Sequence, residues 1–574
     1  MQPPASEVPI PVKPKTDSAT DTTRLKTDTI KAPIGRFADP ALYEIGPQYE
    51  WNRAQLFATG ALNLAELLDR VPEVTTFRSG WLSTPQTAAF NGAFSRIRIF
   101  YDGVEIVDLD NRTGDVLDLS TVQIWTLEHV SIERSAWELR VYLRSWRADN
   151  TTPYTRADIA TGNEDTNLYR GFYGKRFDNG GVLQFGAQQY GVTSPRFAGT
   201  GDGLSLLSRV GIAKRSWSLD GFVIRTHTNR SIQRAAAGRS PVLGLDATNT
   251  SAYVRAAVGG VASGPWLQLT LATLGFKGTT APDRSVGATA QADTLERKAS
   301  EVQYDLSAGL TRGPLRLQVE DRTRALNGKS FNSVSGRADI VSRFAVLSGF
   351  AEHDGRGTTD VEGALRFQPL RFVAFSGSVA RATQSAALSG LPSATHFRGE
   401  AALRLFGPWL AAGLVNTNSA GGPAPIVYDT LLLATPAGRS TAGTASLRGP
   451  LGRGFGIDAW VIRWKSSNDY RPQYQSRAEI NFASNFLNRF PRGEFELRVA
   501  GTFEYRGRTT FPLLAGDAAV SAAKTLSGLV EIRIMRAVLS YQQRNILAYP
   551  YEIIPGFEMP RVLAIYGVRW DFWN

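Results

Sequence analysis

Cysteine is absent from the 574 residues, which removes disulfides, thiolate catalysis and cysteine-ligated metals at once. Histidine is almost absent. His129, His227, His353 and His396 are the whole set, and no two stand at metal-ligand spacing. No run reaches the roughly 18 uninterrupted apolar residues of a membrane helix, so helical spans are excluded. A nucleophile elbow, a phosphate loop and a helical zinc motif are all missing. His353-Asp-Gly-Arg-Gly357 does not make a calcium loop. No catalytic residue, metal or cofactor is therefore expected, and the chain is not read as an enzyme. The N-terminus, Met1-Gln-Pro-Pro-Ala5 onward, has no apolar h-region. An exported protein would then be numbered from after a removed signal peptide, and a cytoplasmic protein is the opposite reading.

What is present is apolar but diluted: 43% hydrophobic residues with a mean hydropathy of −0.18. A β-barrel spanning a bilayer has this profile, because only every second side chain of its strands meets lipid. A soluble all-β protein has it as well. The net charge is +12, but the bases are scattered and no recognition motif accompanies them, so nucleic acid is not an expected partner. Arginines lining a lumen or touching anionic lipid headgroups account for the charge, as does a solvated surface.

Three regions follow from the pattern. Residues 1–50 are rich in Pro, Thr, Lys and Asp without amphipathic period and read as an extended periplasmic arm. Residues 51–150 read as a small α+β domain. Asn63-Leu-Ala-Glu-Leu-Leu-Asp-Arg70 puts Leu64, Leu67 and Leu68 on one helical face with Asn63 as cap. Arg96-Ile-Arg-Ile-Phe-Tyr-Asp-Gly103 alternates and turns at Asp102-Gly103 into Val104–Asp108, a hairpin. Val130–Arg134 and Leu139–Leu143 are two further strands.

Residues 151–574 consist of segments of about 10 to 14 residues with alternating polarity. In Glu494–Tyr505, Phe495, Leu497, Val499, Phe503 and Tyr505 share one face, while Glu494, Glu496, Arg498, Thr502 and Glu504 share the other. Counting from Thr152 gives 22 such segments. Every second connection is short (Asp178-Asn-Gly180, Gly264, Gly313, Gly407, Pro450-Leu-Gly-Arg453) and many of the others are long. Tight turns on one side and long loops on the other are the habit of a membrane barrel, and a soluble sandwich has no need of them. The predicted fold is a 22-stranded antiparallel transmembrane β-barrel with a small N-terminal α+β domain. The last segment carries Tyr566, Val568, Trp570 and Phe572 on one face, a strand suited to recognition by barrel-assembly machinery.

The segment 62–146 resembles the plug of TonB-dependent outer-membrane receptors. Asn63–Val74 looks like the family's helix and its Val-Pro-Gly-Val turn, with Glu73 in the glycine position. Arg96–Ile106, including Asp102-Gly103, looks like its strand and hairpin. Val122–Arg134, ending Ile132-Glu133-Arg134, is similar to the stretch that closes on Ile-Glu-Arg-Ile-Glu-Val. The chain departs from the pattern after Arg134: the family's Arg-Gly-Pro and glycine-rich run are missing, and Ser135-Ala-Trp-Glu138 leads straight into Leu139. A trimmed plug, leaving a gap or a more labile block, is the expectation. A TonB box, which pairs with TonB by β-augmentation, is best matched by Asp28, Thr29, Ile30, Lys31, Ala32, Pro33 and Ile34, although Pro33 and Lys31 weaken it as a strand. The resemblance implies gated transport in the outer membrane of a Gram-negative bacterium, with TonB, outer-membrane lipid and lipopolysaccharide, barrel-assembly machinery and an unidentified ligand as partners. The barrel spends about 19 residues per strand and connection, too few for large loops, so a small or modest-sized ligand is expected. The alternative is a TonB-independent plugged barrel serving as a structural or partner-binding subunit of an envelope complex.

Overall fold

In the computed structural model, residues 48–574 are described except 149–150, 194–198, 237–238, 260–262, 281–295, 356, 385–393, 420–421, 435–437, 487–488, 491–493, 515 and 574. Twenty-two antiparallel strands close into one barrel, from Tyr154–Gly162 round to Leu563–Trp573, which pairs back with the first strand so that Val568 faces Ile159. The alternation that marks the strands in the sequence sets their faces. On Gly264–Thr279, Leu267, Leu269 and Leu271 are about half exposed on the outside, while Gln268 and Thr270 between them are buried inside. A closed sheet with an apolar outer band satisfies every ladder group without water, as a bilayer-spanning structure must. On the last strand Tyr566, Val568 and Trp570 are exposed outward, and the Trp570 and Phe572 rings stack 5.1 Å apart.

The connections divide as expected. One end has turns such as 313–314, 371–372 and 535–536, with 485–494 its long exception; the other end has 231–244, 280–296, 420–437, 507–522 and 545–562. Gly313-Pro and Gly407-Pro stand in tight turns. Gly449-Pro450 does not: the strand Gly438–Gly452 runs through it, and the turn comes at Arg453-Gly454. The ladder shifts register between Pro450 and Gly452, and such a bulge is where a strand accommodates a residue with no N–H.

The lumen holds a separate five-stranded sheet, ordered β1-β6-β7-β4-β5. Its strands are β1 (Gln48–Asn52), β4 (Ile97–Tyr101), β5 (Val104–Ile106), β6 (Leu127–Arg134) and β7 (Leu139–Ser145). Between β1 and β4 lie two short helices, α1 (Arg53–Ala58) and α2 (Leu64–Leu68), and the hairpin of β2 (Val74–Arg78) and β3 (Gln86–Phe90). Asn63 caps α2, its side chain accepting from Glu66 N at 3.1 Å. Leu64, Leu67, Leu68, Ile99, Ile132 and Val141 are fully buried in one core.

Candidate functional site

The functional geometry of a plugged barrel lies where the plug meets its surroundings, and here two contacts of opposite chemistry do that work. The first is with the wall, and its hubs are ionic. Asp102 and Gly103 have φ of 48° and 90°, the left-handed pair of a tight hairpin turn. That turn presents Asp102 to the wall. Its carboxylate accepts from Ser145 N at 3.0 Å, Arg209 Nη2 at 2.7 Å and the Tyr253 hydroxyl at 2.9 Å, and from the Ser145 hydroxyl. Burial pushes its pKa up, but the guanidinia of Arg209, Arg147 and Arg255 outweigh this and hold it well below the ordinary range.

Glu133 and Arg134 sit side by side on β6 and reach different strands. Glu133 takes a bidentate pair from Arg337 of the wall, at 2.8 and 3.0 Å. Burial opposes its ionisation, yet Arg337 and Arg140 keep its pKa down at about 2. Arg134 pairs with Glu73 at 3.0 Å and with Glu400 of the wall at 3.5 Å. Wall residue Arg398 donates to Glu73 and, at 2.8 Å, to the Arg134 carbonyl. Farther round, Arg98 pairs with Glu105 at 2.8 Å and Glu352 at 2.6 Å. Arg322 meets Glu105 at 2.8 Å, and Arg140 reaches Glu362 and Asp360 at 3.3 and 3.4 Å.

Glu73 is the member of this belt that the sequence pattern hides. It occupies the position where the turn it resembles has glycine, and it keeps glycine's backbone, φ 74°. An L residue pays about 1–2 kcal/mol for that conformation. The side chain so placed is fully buried between Arg134 and Arg398. The only signal in the sequence is the mismatch itself: a glutamate where the turn wants glycine.

The second contact faces the long connections and is apolar. The hairpin of β2 and β3 rises toward that end, and five connections fold in over it. Phe77 meets Phe511 edge-on at 5.9 Å and Tyr470 at 6.3 Å, while Phe94 meets Tyr470 at 5.4 Å. Val242, Leu432, Val520, Ile554 and Phe557 join the same buried cluster. Polar ties accompany it: the Tyr428 hydroxyl lies 2.7 Å from the Phe77 carbonyl and 3.1 Å from that of Pro85, Ser79 Oγ donates to Gln233 Oε1 at 2.6 Å, and Gln233 Nε2 donates to the Ser79 carbonyl at 2.7 Å. Among the described residues, these connections cover the β2–β3 hairpin.

The trimmed turn after Arg134 is braced by its own hydrogen bonds and by contact with the wall. Ser135 Oγ accepts from Trp137 N and Glu138 N, both at 2.9 Å, and the Trp137 ring fills the space between Arg96 and the wall residue His396. A cavity of about 120 Å³ does persist between segment 106–123 and three wall strands. Asp108 lines it, and burial raises its pKa to about 8, with Asp110 and Asp118 adding to the effect. The stretch Asp28 to Ile34 lies outside the described residues.

No family model matches the chain, and no curated protein matches it. Solved structures do. The FrpB iron transporter from Neisseria meningitidis superposes with a TM-score of 0.71 at 10% identity, covering 92% of this chain and 99% of that one. A mutant of the ferric enterobactin receptor PfeA from Pseudomonas aeruginosa gives 0.69 at 10% over the same shares. The siderophore receptor PirA from Acinetobacter baumannii gives 0.70 at 9%, over 92% and 98%. In fold this chain is a plugged 22-stranded barrel of the TonB-dependent-receptor type. At such identities the likeness concerns the fold.

Proposed function

We propose that the protein is an outer-membrane receptor that takes up a small or modest-sized ligand through a plug-gated barrel, powered through TonB. The observation that supports this most is the construction of the plug. It is a separately folded sheet tied to the wall by discrete ion pairs, under loops that cover its β2–β3 hairpin mainly by apolar packing. A purely structural barrel has no use for a removable stopper of that kind. The neighbours in fold are named as iron and siderophore receptors or transporters, which supports the same reading.

The ligand would land on the long connections and displace the aromatic lid around Phe77 and Tyr470. Segment 28–34 would pair with TonB by strand addition, and traction would act on the plug through β1. The whole cycle is binding and displacement with no covalent step. The strand Leu563–Trp573 would serve the assembly machinery, and the outer band would contact outer-membrane lipid and lipopolysaccharide.

The test joins two measurements on the full chain. The TonB C-terminal domain should be retained by the protein and lost on deleting 28–34. The intact barrel should be silent in planar bilayers. Absence of TonB binding would overturn the transport reading in favour of a plugged structural or partner-binding subunit, and steady conductance would indicate a passive pore.

A further inference from the structure

On the outside of the barrel, at the end with the long connections, some cations are matched by acids. Lys277 and Lys298 stand directly opposite each other on neighbouring strands and share Glu296, at 2.6 and 2.8 Å. His227 lies 3.9 Å from Asp246. In one sector several cations without such an acid stand close together. Arg381, Arg439, Arg463 and Lys465 all point outward and are exposed, alternating with Ala380, Ala382, Ala442, Ile462 and Trp464, which are buried inside. Among the described residues no carboxylate comes within ion-pair distance of any of the four.

The register brings them into one patch. Arg463 is opposite Gly443, and Lys465 N donates to the Thr441 carbonyl, which continues the ladder. Two residues along from Thr441 is Arg439, opposite Asn418, and Arg381 is opposite Thr395 on the far strand of the patch. At about 4.8 Å between strands, the row from Arg381 to Arg439 is about 15 Å wide. Neutral donors and acceptors lie between: Arg439 Nε donates to Asn416 Oδ1 at 3.0 Å, and Asn416 Nδ2 to Thr441 Oγ1 at 2.8 Å. Toward the membrane centre, the outward positions of the same strands are Val379, Phe397 and Leu414, each about half exposed. Beside Arg463 the Tyr474 and Tyr505 rings meet edge-on at 5.4 Å, an aromatic pair of the kind that marks the interface.

Like charges gathered on one face of a sheet repel, and more so at the edge of a low-dielectric slab. A guanidinium fork is satisfied by phosphate in two parallel bonds. We propose that this sector binds the phosphorylated sugar headgroup of an outer-leaflet glycolipid, its two phosphates on the arginines at either end of the row. Its sugar hydroxyls meet Asn416 and Thr441, and its acyl chains lie over Phe397 and Leu414. A glycerophospholipid, with one phosphate and no sugar, would leave half the patch unmatched. The assignment rests on the long connections facing outside the cell, and is independent of TonB.

The detergent-purified full chain is titrated by native mass spectrometry with bisphosphorylated lipid A, with lipid A stripped of both phosphates, and with phosphatidylglycerol. Bisphosphorylated lipid A should bind at least ten-fold more tightly than either control, and the preference should shrink as salt rises. The variant R381Q/R439Q/R463Q/K465Q should lose it, whereas K277Q/K298Q should keep it. The double variant R381Q/R439Q, checked for an intact barrel by its heat-modifiable gel mobility, carries the test if the quadruple variant misfolds. Equal binding of the stripped lipid or of phosphatidylglycerol, or undiminished binding by the variants, overturns the proposal. Loss of TonB binding alongside intact lipid preference would fell the transport reading alone.

Discussion

The plug touches its surroundings in two ways, and they could hardly differ more. Against the wall its hubs are buried ion pairs, at Asp102, Glu133, Arg134 and Glu73, set beside an apolar patch where Tyr101 stacks on Phe222. Beneath the mouth it is held by aromatic rings and aliphatic side chains from loops. Buried ion pairs are poor sources of net stability but strict about geometry, because removing one partner strands the other. Apolar contact is non-directional and tolerates sliding. On the proposed function the difference would separate two tasks: the wall contact fixes where the plug sits, and the mouth contact is a lid that reopens without searching for partners. A ligand arriving from outside would have to disturb only the second.

The largest expected effect comes from removing both contacts together. Deleting residues 49–150 should turn a silent barrel into one with a large, steady conductance in planar bilayers. Silence of the deleted form would mean that the loops alone seal the lumen. Next is Glu73→Ala, which leaves Arg398 buried without its carboxylate and Arg134 with Glu400 alone. It should cost about 3–5 kcal/mol of plug stability, read as faster proteolysis or hydrogen exchange across β6 and β7. Glu73→Gly should cost less, since it relieves the left-handed backbone while losing the same pairs. Phe77→Ala attacks the other contact and should cost about 3 kcal/mol, loosening the loops around Tyr470 and Phe511 while β6 and β7 stay protected. Tyr428→Phe, which removes one tie across the lid, should cost about 1 kcal/mol and speed exchange only in 424–432.

The smallest effect is in segment 106–123. Burial raises the pKa of Asp108 to about 8, above its unfolded value. Its neutral form therefore favours the fold at low pH, and that contribution is lost as pH climbs through 8. Asp108→Asn should slow exchange in this segment at pH 8–9 and change nothing at pH 4.

The barrel was legible because a two-residue period survives any hydropathy average, and tight turns demand recognisable residues. Gly313 and Gly407 mark tight turns, as their turn chemistry suggests. The short connection expected at Pro450-Leu-Gly-Arg453 falls instead at Arg453-Gly454, because a bulge accommodates Pro450 within the strand as well as a turn would. The hairpin at Asp102-Gly103 was visible, but that Asp102 would also bind Arg209 and Tyr253 was not, since those partners lie more than a hundred residues away. The lid was invisible altogether. Tyr428, Tyr470 and Phe511 come from separate loops without a period, and only closure of the barrel brings them onto Phe77.

Acid offers the most direct test of the division of labour. The low pKa of Glu133, about 2, means that its pairing stabilises the fold above the unfolded value and is lost as pH falls toward 2. Hydrogen exchange of the full chain, corrected for intrinsic rates, should be followed from pH 7 down to pH 3. Residues 127–145 of the plug should lose protection progressively, while the lid residues 424–432 and 509–513 keep theirs. Parallel loss in both regions, or protection of 127–145 that ignores pH, would contradict the account.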